Sequence, residues 1–286
     1  MKLIQNNITY NHCPLCESKD IKYEGKITCL KPLVFSTTTI QTETKSLLYK
    51  CNTCHSGFKQ NIIPETIAMS LYASGNSNER WTPISFNESK LPEVVNALQK
   101  VFLNNAKVLD IGCNTGELLD MAKTRGSITY GNELSTESQK ILLAKGHIVC
   151  NTITEIEDGS IDVITAFDLI EHIYNVSEFL ALCKSKLKSK GRLVIFTGNV
   201  QSKSAQWAGN KWWYLKYPEH VIFPSVSFLE SKGFTLEEKI DTYASVGYKR
   251  SFFKSLKALI KGKLTNTYKG LPSWGPDHYL VILCNK

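Results

Sequence analysis

Two cysteine pairs and one glycine-punctuated acidic turn are the segments of this chain whose residue types and spacing suit chemistry. The pairs are Cys13-Pro-Leu-Cys16 and Cys51-Asn-Thr-Cys54; the turn is Asp110-Ile-Gly112-Cys113-Asn114-Thr-Gly116. Each Cys-x-x-Cys turn can present two thiolates to one tetrahedral ion, and two turns complete a four-sulfur shell. Such a shell leaves no open position for water, so the expected ion is a structural zinc held by Cys13, Cys16, Cys51 and Cys54. His12, His55 and Cys29 stand near enough to be substitutes. A redox role would call for one such pair opening a helix, not two pairs flanking strands. The 34 residues between the pairs include strand-like stretches at 21–28 and 47–50, room for a small β module that needs its metal to fold. Nine cysteines in all, an odd number, argue against a closed disulfide framework. Cys29, Cys113, Cys150, Cys183 and Cys284 read as small buried apolar residues.

The second segment, Val108 to Leu119, reads as a strand, a tight turn and a helix, which puts a ligand at the carboxyl end of the strand. Gly112 lets the backbone pass close to that ligand, and Gly116 lets helix pack on strand. Asn114 stands where such loops often have glycine, and asparagine tolerates positive φ. A dinucleotide would require G-x-G-x-x-G; here the spacing is G-x-x-x-G and Asp110 precedes the turn. That carboxylate would repel a pyrophosphate but pair with the amino group of a methionine-like ligand. Glu133, ending the next strand, suits two ribose hydroxyls. Both acids favour an adenosyl amino acid over NAD.

With VLDIGCNTGELL, Glu133 in GNEL, and the run DVITAFDLIEHI on the page, residues 88–286 resemble class I S-adenosylmethionine-dependent methyltransferases. The resemblance implies Asp110, Gly112, Cys113, Asn114 and Gly116 around the methionine half, Glu133 on the ribose, Asn151 by the adenine and Asp168 closing the pocket. Glu171-His172, which follows that strand in other members, reads by itself as a helix-start pair with a structural histidine. Methyl transfer is an in-line displacement with a neutral leaving group, so the protein has mainly to align the acceptor and take its proton. The expected place for a base is beyond the fifth strand. There the chain offers Trp207, Trp212-Trp213-Tyr214 as an aromatic wall, then Tyr217-Pro-Glu219-His220. His220 is the preferred base and Glu219 an alternative. This Tyr-x-Glu-His run, with the double Cys-x-x-Cys, resembles the zinc-containing sugar methyltransferases of deoxysugar pathways. It implies Tyr217, Glu219 and His220 as active-site residues and a sugar or nucleotide-sugar acceptor, with O- and C-methylation both open.

The elements that must position these groups fall into two parts. Residues 1–75 form the metal module and a connector with a short helix after Pro64; residues 76–286 form the cofactor domain. A polar stretch at 73–78 reads as a hinge or lid. Strand patterns at 106–111, 128–134, 147–150, 161–167, 192–197, 235–240 and 278–284 alternate at first with helices at 91–103, 115–123, 135–145 and 176–187. The expected architecture is α/β: a Rossmann-like, mostly parallel seven-stranded sheet, its last strand antiparallel and at the edge, plus a zinc-ribbon-like β module.

Charge is unevenly placed along the 286 residues: the overall net charge is +8, with +3 over 1–80, −7 over 81–183 and +12 over 184–286. Only four of the basic residues are arginine, which weighs against nucleic acid, since base and phosphate readers lean on arginine forks. An RNA methyltransferase, using the zinc module and basic third, remains the alternative; a non-catalytic cofactor- or partner-binding module is a third reading. The segment 249–263, with Phe252, Phe253, Leu256, Leu259 and Ile260 set among lysines, reads as a basic amphipathic helix. It could cover the sheet, meet an anionic nucleotide-sugar tail or a protein, or touch a membrane surface or lipid-linked acceptor. No apolar run reaches the roughly 18–20 residues of a membrane span, and the start lacks a signal peptide's apolar region, so the expectation is a soluble cytoplasmic protein.

Overall fold

The computed structural model describes residues 2–27, 33–75, 85–216, 218–249, 252–264 and 270–286. Tyr217, Cys29 and residues 76–78 of the polar 73–78 stretch lie outside them.

The N-terminal part is built from short strands. Strands β1 (Lys2–Ile4), β3 (Leu33–Phe35) and β4 (Thr38–Thr42) make one sheet, in the order β1-β4-β3. Strands β2 (Ile21–Lys26), β5 (Leu47–Cys51) and β6 (Gly57–Gln60) form an antiparallel ladder. Helix α1 (Glu65–Ala73) follows Pro64, which suits a helix start because proline has no N–H to leave unpaired.

The remainder begins with α2 (Pro92–Val101), whose Val94, Val95, Leu98 and Val101 recur at helical spacing and are all buried. Then come β7 (Lys107–Ile111), α3 (Glu117–Thr124), β8 (Ile128–Asn132), α4 (Thr136–Ala144), β9 (Ile148–Cys150), β10 (Ile161–Phe167), α5 (Val176–Lys186) and β11 (Leu187–Gly198). Short β12 (Ile222–Phe223), α6 (Val226–Ser231), β13 (Phe234–Thr242), α7 (Phe252–Leu264) and β14 (His278–Asn285) complete the order. Ser135 caps α4, its hydroxyl accepting from Ser138 N–H.

The seven-stranded sheet runs β13-β14-β11-β10-β7-β8-β9. Strands β7 to β11 pair in parallel, and β14 is antiparallel to both β11 and β13. The α/β fold with seven strands and an antiparallel last strand is therefore as the pattern indicated. One expectation is corrected: β14 is not at the edge but between β11 and β13. Its run His278–Asn285 is buried along nearly its whole length, as a strand with neighbours on both sides and both faces must be. The edge falls to β13, which alternates exposed and half-buried residues. Apolar clusters cover both sides of the sheet, one around Leu109, Ile164, Leu193 and Val281, the other around Val108, Leu119, Val194 and Leu280.

The two parts are joined by a ladder. Strand β12 adds to β6, with Ile222 opposite Phe58 and Phe223 opposite Gly57, so the order is β12-β6-β5-β2. Phe58 is fully buried and belongs to the same apolar cluster as Leu109 and Ile164. Glu219 and His220 precede β12, separated from it only by Val221.

Candidate active site

The ligand turn between β7 and α3 needs three left-handed residues in five: Gly112 (φ 71°), Asn114 (φ 47°) and Gly116 (φ 84°). A Cβ on Gly112 would stand 2.9 Å from Leu169, and one on Gly116 2.6 Å from Leu142, so both positions need glycine sterically as well as conformationally. Because Gly116 takes the N-cap place in this conformation, α3 starts at Glu117, two residues after the start that the pattern suggests. Cys113 turns its thiol inward beneath Gly131 and is 5% exposed, so what it offers a ligand is backbone. Burial holds that thiol well above its ordinary pKa.

The acids come together at the carboxyl ends of neighbouring strands. Glu133 ties its strand end to the ligand turn: Oε2 accepts from Asn114 N–H (2.9 Å), and Oε1 from Leu134 N–H (2.8 Å) and Ser135 N–H (2.9 Å). Asp110 accepts from the Thr165 hydroxyl at 2.6 Å. Burial raises its carboxyl to about 7, with help from the charges of Glu117 and Glu133. Asp168 has φ 48° and accepts from Lys90 Nζ at 3.0 Å. The Asp168 carboxyl is itself exposed; desolvation by the atoms packed around it works against ionisation, but the ammonium of Lys90, aided by His278 and Lys216, holds it below the usual range. Asn151 is exposed at the end of β9, its carbonyl accepting from Asn132 Nδ2 at 3.1 Å. Lys90 had no motif to mark it; only the packing of the residues before α2 brings it to Asp168.

This donor set suits a cationic amino acid joined to a ribose: two carboxylates beside the turn, a third across it, and a backbone free of side chains at Gly112. A consequence concerns pH. An ammonium ligand favours ionised Asp110, and with a pKa near 7 that carboxyl gains its proton as pH falls through neutrality. Affinity for S-adenosylmethionine, measured by calorimetry, should therefore weaken from pH 8 to pH 6. Asp110→Asn should bind more weakly throughout and lose most of this dependence; an equally steep slope in the variant would assign the dependence elsewhere.

A second group of polar residues is buried next to the first. His220 is 3% exposed, and its Nδ1 donates to the Tyr214 carbonyl at 2.7 Å. That bond leaves Nε2 as the proton-accepting nitrogen. Burial, with His172, Lys216 and Lys59 nearby, pushes the imidazole well below its ordinary pKa, so it stays neutral. Nε2 faces Glu171 Oε1 at 3.9 Å. Glu171 is fully buried; Thr197 Oγ1 donates to its Oε2 at 2.7 Å, and the Tyr214 hydroxyl bonds its Oε1. His172 Nε2 lies 4.0 Å from the same oxygen, and the His172 and His220 rings meet edge to face at 4.7 Å.

The N-terminal part reaches this cluster twice. The Tyr72 hydroxyl and His172 Nδ1 are hydrogen bonded at 2.7 Å, and Ser36 N–H donates to Glu219 Oε1 at 2.9 Å. Glu219 is 5% exposed. The structure thus places His220 and Glu219 in one buried group. It adds Tyr72, Glu171 and His172, which the motif reading did not assign to a site, and joins to them Tyr214 of the expected aromatic wall. The Glu171-His172 pair follows the end of β10 after three intervening residues, but its alternative as a helix-start pair was equally consistent with sequence alone. The aromatic wall is corrected in part. Tyr214 faces the histidines, whereas Trp212 and Trp213 are anchored by donating to Asp277 Oδ2 (2.9 and 2.7 Å) and Trp207 is 64% exposed.

The four cysteine sulfurs lie within 4.8 Å of one another, with Cys13–Cys54 at 3.7 Å and Cys16–Cys51 at 3.5 Å. A tetrahedron with zinc–sulfur bonds of about 2.3 Å has edges of roughly 3.8 Å, so the cage fits that ion. The Cys13–Cys54 contact holds the Cys54 thiol below its ordinary range and the Cys13 thiol above it, so the pair shares one proton until a cation displaces it. His12 and His55 are exposed and outside the cage. Of the remaining described cysteines, Cys113, Cys150 and Cys183 are buried as expected, and Cys284 is only partly so.

Residues 84–235, just over half of the chain, match the family described as "Methyltransferase domain". Among curated relatives, a ubiquinone biosynthesis O-methyltransferase of Idiomarina loihiensis is 28% identical over 163 residues, 51% of this chain and 65% of that protein. One of the same name from Bradyrhizobium diazoefficiens is 31% identical over 110 residues, 36% of this chain and 44% of that protein. The chain thus spans less than two thirds of either relative's length. Among solved structures, a putative sarcosine dimethylglycine methyltransferase from Galdieria sulphuraria gives a TM-score of 0.49 at 18% identity, covering 68% of this chain and 86% of that one.

Proposed function

Because this chain belongs to the methyltransferase-domain family and is an S-adenosylmethionine-dependent methyltransferase, we propose that it methylates a small hydroxylated acceptor, a sugar or nucleotide-sugar, with His220 as general base. S-adenosylmethionine supplies an electrophilic methyl group and leaves as a neutral thioether. The protein's share of the work is to orient the acceptor and receive its proton.

The observation that carries this reading is the state of His220. Its Nδ1–H is committed to the Tyr214 carbonyl, its Nε2 is the accepting nitrogen, and the carboxylate of Glu171 lies 3.9 Å from that atom. Taking a proton would create an imidazolium in a buried place, and Glu171 offers the charge to offset it. Glu219, His172 and Tyr72 add further hydrogen-bonding groups next to His220, which suits an acceptor bearing several hydroxyls. Ligation of one zinc by Cys13, Cys16, Cys51 and Cys54 belongs to the same reading. The ion would be structural, holding the ladder that carries Phe58 against β12 and so setting the approach to His220.

A second acceptor class has its own support: the curated relatives are named for O-methylation in ubiquinone biosynthesis. A phenolic hydroxyl, being more acidic, would need the same base less. The deciding experiment incubates the protein with methyl-labelled S-adenosylmethionine and, in separate arms, nucleotide-sugars, dihydroxyphenyl compounds or RNA, and follows label into product by mass. Turnover of sugars alone supports the proposal; turnover of phenols alone replaces its acceptor class; label only in RNA overturns the small-molecule reading.

Tyr72 gives a further expected result. Removing its hydroxyl in Tyr72→Phe frees His172 Nδ1 from one partner without opening a cavity. The acceptor KM should rise several-fold, on the scale of about 1 kcal/mol for one lost hydrogen bond. Cofactor affinity should stay unchanged, and steady-state kinetics with each substrate varied in turn checks both.

A further inference from the structure

The insert between β13 and β14 leaves the sheet at the ligand-binding edge. Thr242 at the end of β13 and Gly198 at the end of β11 both pair with His278, where β14 begins. Strand β11 is parallel to β10 and β7, whose carboxyl ends carry Asp168 and the ligand turn. Both ends of the insert therefore stand beside the active site, and Tyr248 stacks on Trp213 at 4.3 Å.

Two properties of this insert are unusual together. From residue 242 to residue 276 there is no acidic side chain, against seven basic ones. The same stretch holds seven of the sixteen exposed large apolar side chains among the described residues. Four of them follow one another along α7: Phe253 (79% exposed), Leu256 (42%), Ile260 (51%) and Leu264 (82%). At 3.6 residues per turn these positions fall within one narrow stripe. Exposed Lys254, Lys257 and Lys261 run along one flank of it.

An apolar stripe left in water costs free energy in proportion to its area, and a wholly cationic flank costs more through self-repulsion. One surface relieves both costs at once: a bilayer with anionic headgroups, apolar a few ångströms down and negative at the top. We propose that α7 lies in the interface of an anionic phospholipid membrane, stripe downward and lysines among the headgroups, and brings the active-site edge to the bilayer. No described helix is long and apolar enough to cross a membrane, so the attachment would be in-plane. The proposal does not depend on which acceptor is methylated.

The test uses the full-length chain and phosphatidylcholine vesicles with and without phosphatidylglycerol, separated by flotation. Binding is expected only with phosphatidylglycerol and should decline as salt is raised. Leu256→Gln/Ile260→Gln and, separately, Lys254→Gln/Lys257→Gln/Lys261→Gln should each weaken it at least about tenfold. All these positions are exposed, and unchanged circular dichroism and cofactor affinity would show that the variants are folded. Failure of the wild-type chain to float with phosphatidylglycerol vesicles overturns the proposal, as does undiminished binding by both variants. A dimer in solution that Leu256→Gln/Ile260→Gln dissociates, without vesicle binding, would assign the stripe to a second copy instead.

Discussion

His220→Ala is expected to lower kcat by about 10²- to 10⁴-fold, the range for losing a positioned general base. Affinity for S-adenosylmethionine should hardly change, because the ligand turn and its three carboxylates make no contact with this imidazole. The loss should be shared by His220→Asn, which keeps a hydrogen-bonding side chain of similar size but cannot take a proton at neutral pH. That second variant separates lost base from lost packing, since alanine leaves a cavity in a site only 3% exposed. The pH profile carries a further check. The folded pKa is lowered well below 6.5, chiefly by burial, so the neutral, active form persists as pH falls through the ordinary histidine range. The acid limb of kcat/KM for the acceptor, measured at saturating S-adenosylmethionine so that Asp110 does not contribute, should accordingly lie below pH 6.5. If both variants keep wild-type turnover, His220 is a packing residue and the base must be sought elsewhere in the group.

Removing the cysteine cage should have the other large effect. Cys13→Ser/Cys54→Ser leaves two thiolates, too few to hold the ion against water. Elemental analysis should find one zinc per chain in the wild type and essentially none in the variant. Apparent binding energies for such zinc are on the order of 10 kcal/mol, comparable with the whole stability of a domain. The ladder of β2, β5 and β6 should therefore unfold. With it go the Phe58 side chain packed on the sheet, the partner of β12, the Ser36 N–H on Glu219 and the Tyr72 hydroxyl on His172. Acceptor turnover should fall far more than cofactor affinity, and the thermal transition should move down or split in two. A metal-free variant with an unchanged melting curve and acceptor KM would show that the cage is not what holds the N-terminal part in place.

The ligand turn was legible because its chemistry is local. Asp110, Gly112, Asn114 and Gly116 lie within seven residues, and the left-handed φ angles and the charge that recommend them as a ligand turn are set by one short segment for itself. The four cysteines were legible for a related reason: thiolates in pairs at this spacing serve few purposes besides a metal. Glu171 and His172 were visible but ambiguous, because a helix start and an active site ask for the same residue types after a parallel strand. Tyr72 and Lys90 carried no signal at all. Nothing in Leu71-Tyr72-Ala73 or Ser89-Lys90-Leu91 distinguishes them from ordinary helix and loop residues.

By itself, then, the chain's order of residues determined the α/β alternation, the ligand turn, the metal-binding spacing and the candidate base. Each depends on neighbours a few positions apart, and helical period, strand period and turn conformation are all short-range properties. What only the tertiary structure decided is everything that requires distant segments to meet. It set β14 between β11 and β13, because a doubly buried strand gains more from two partners than from one. It completed the N-terminal ladder with β12, 162 positions beyond β6 by the count from Gln60 to Ile222. Through that ladder it brought Ser36 and Tyr72 to the group around His220, where desolvation keeps the imidazole neutral and Glu171 stands ready to balance its charge.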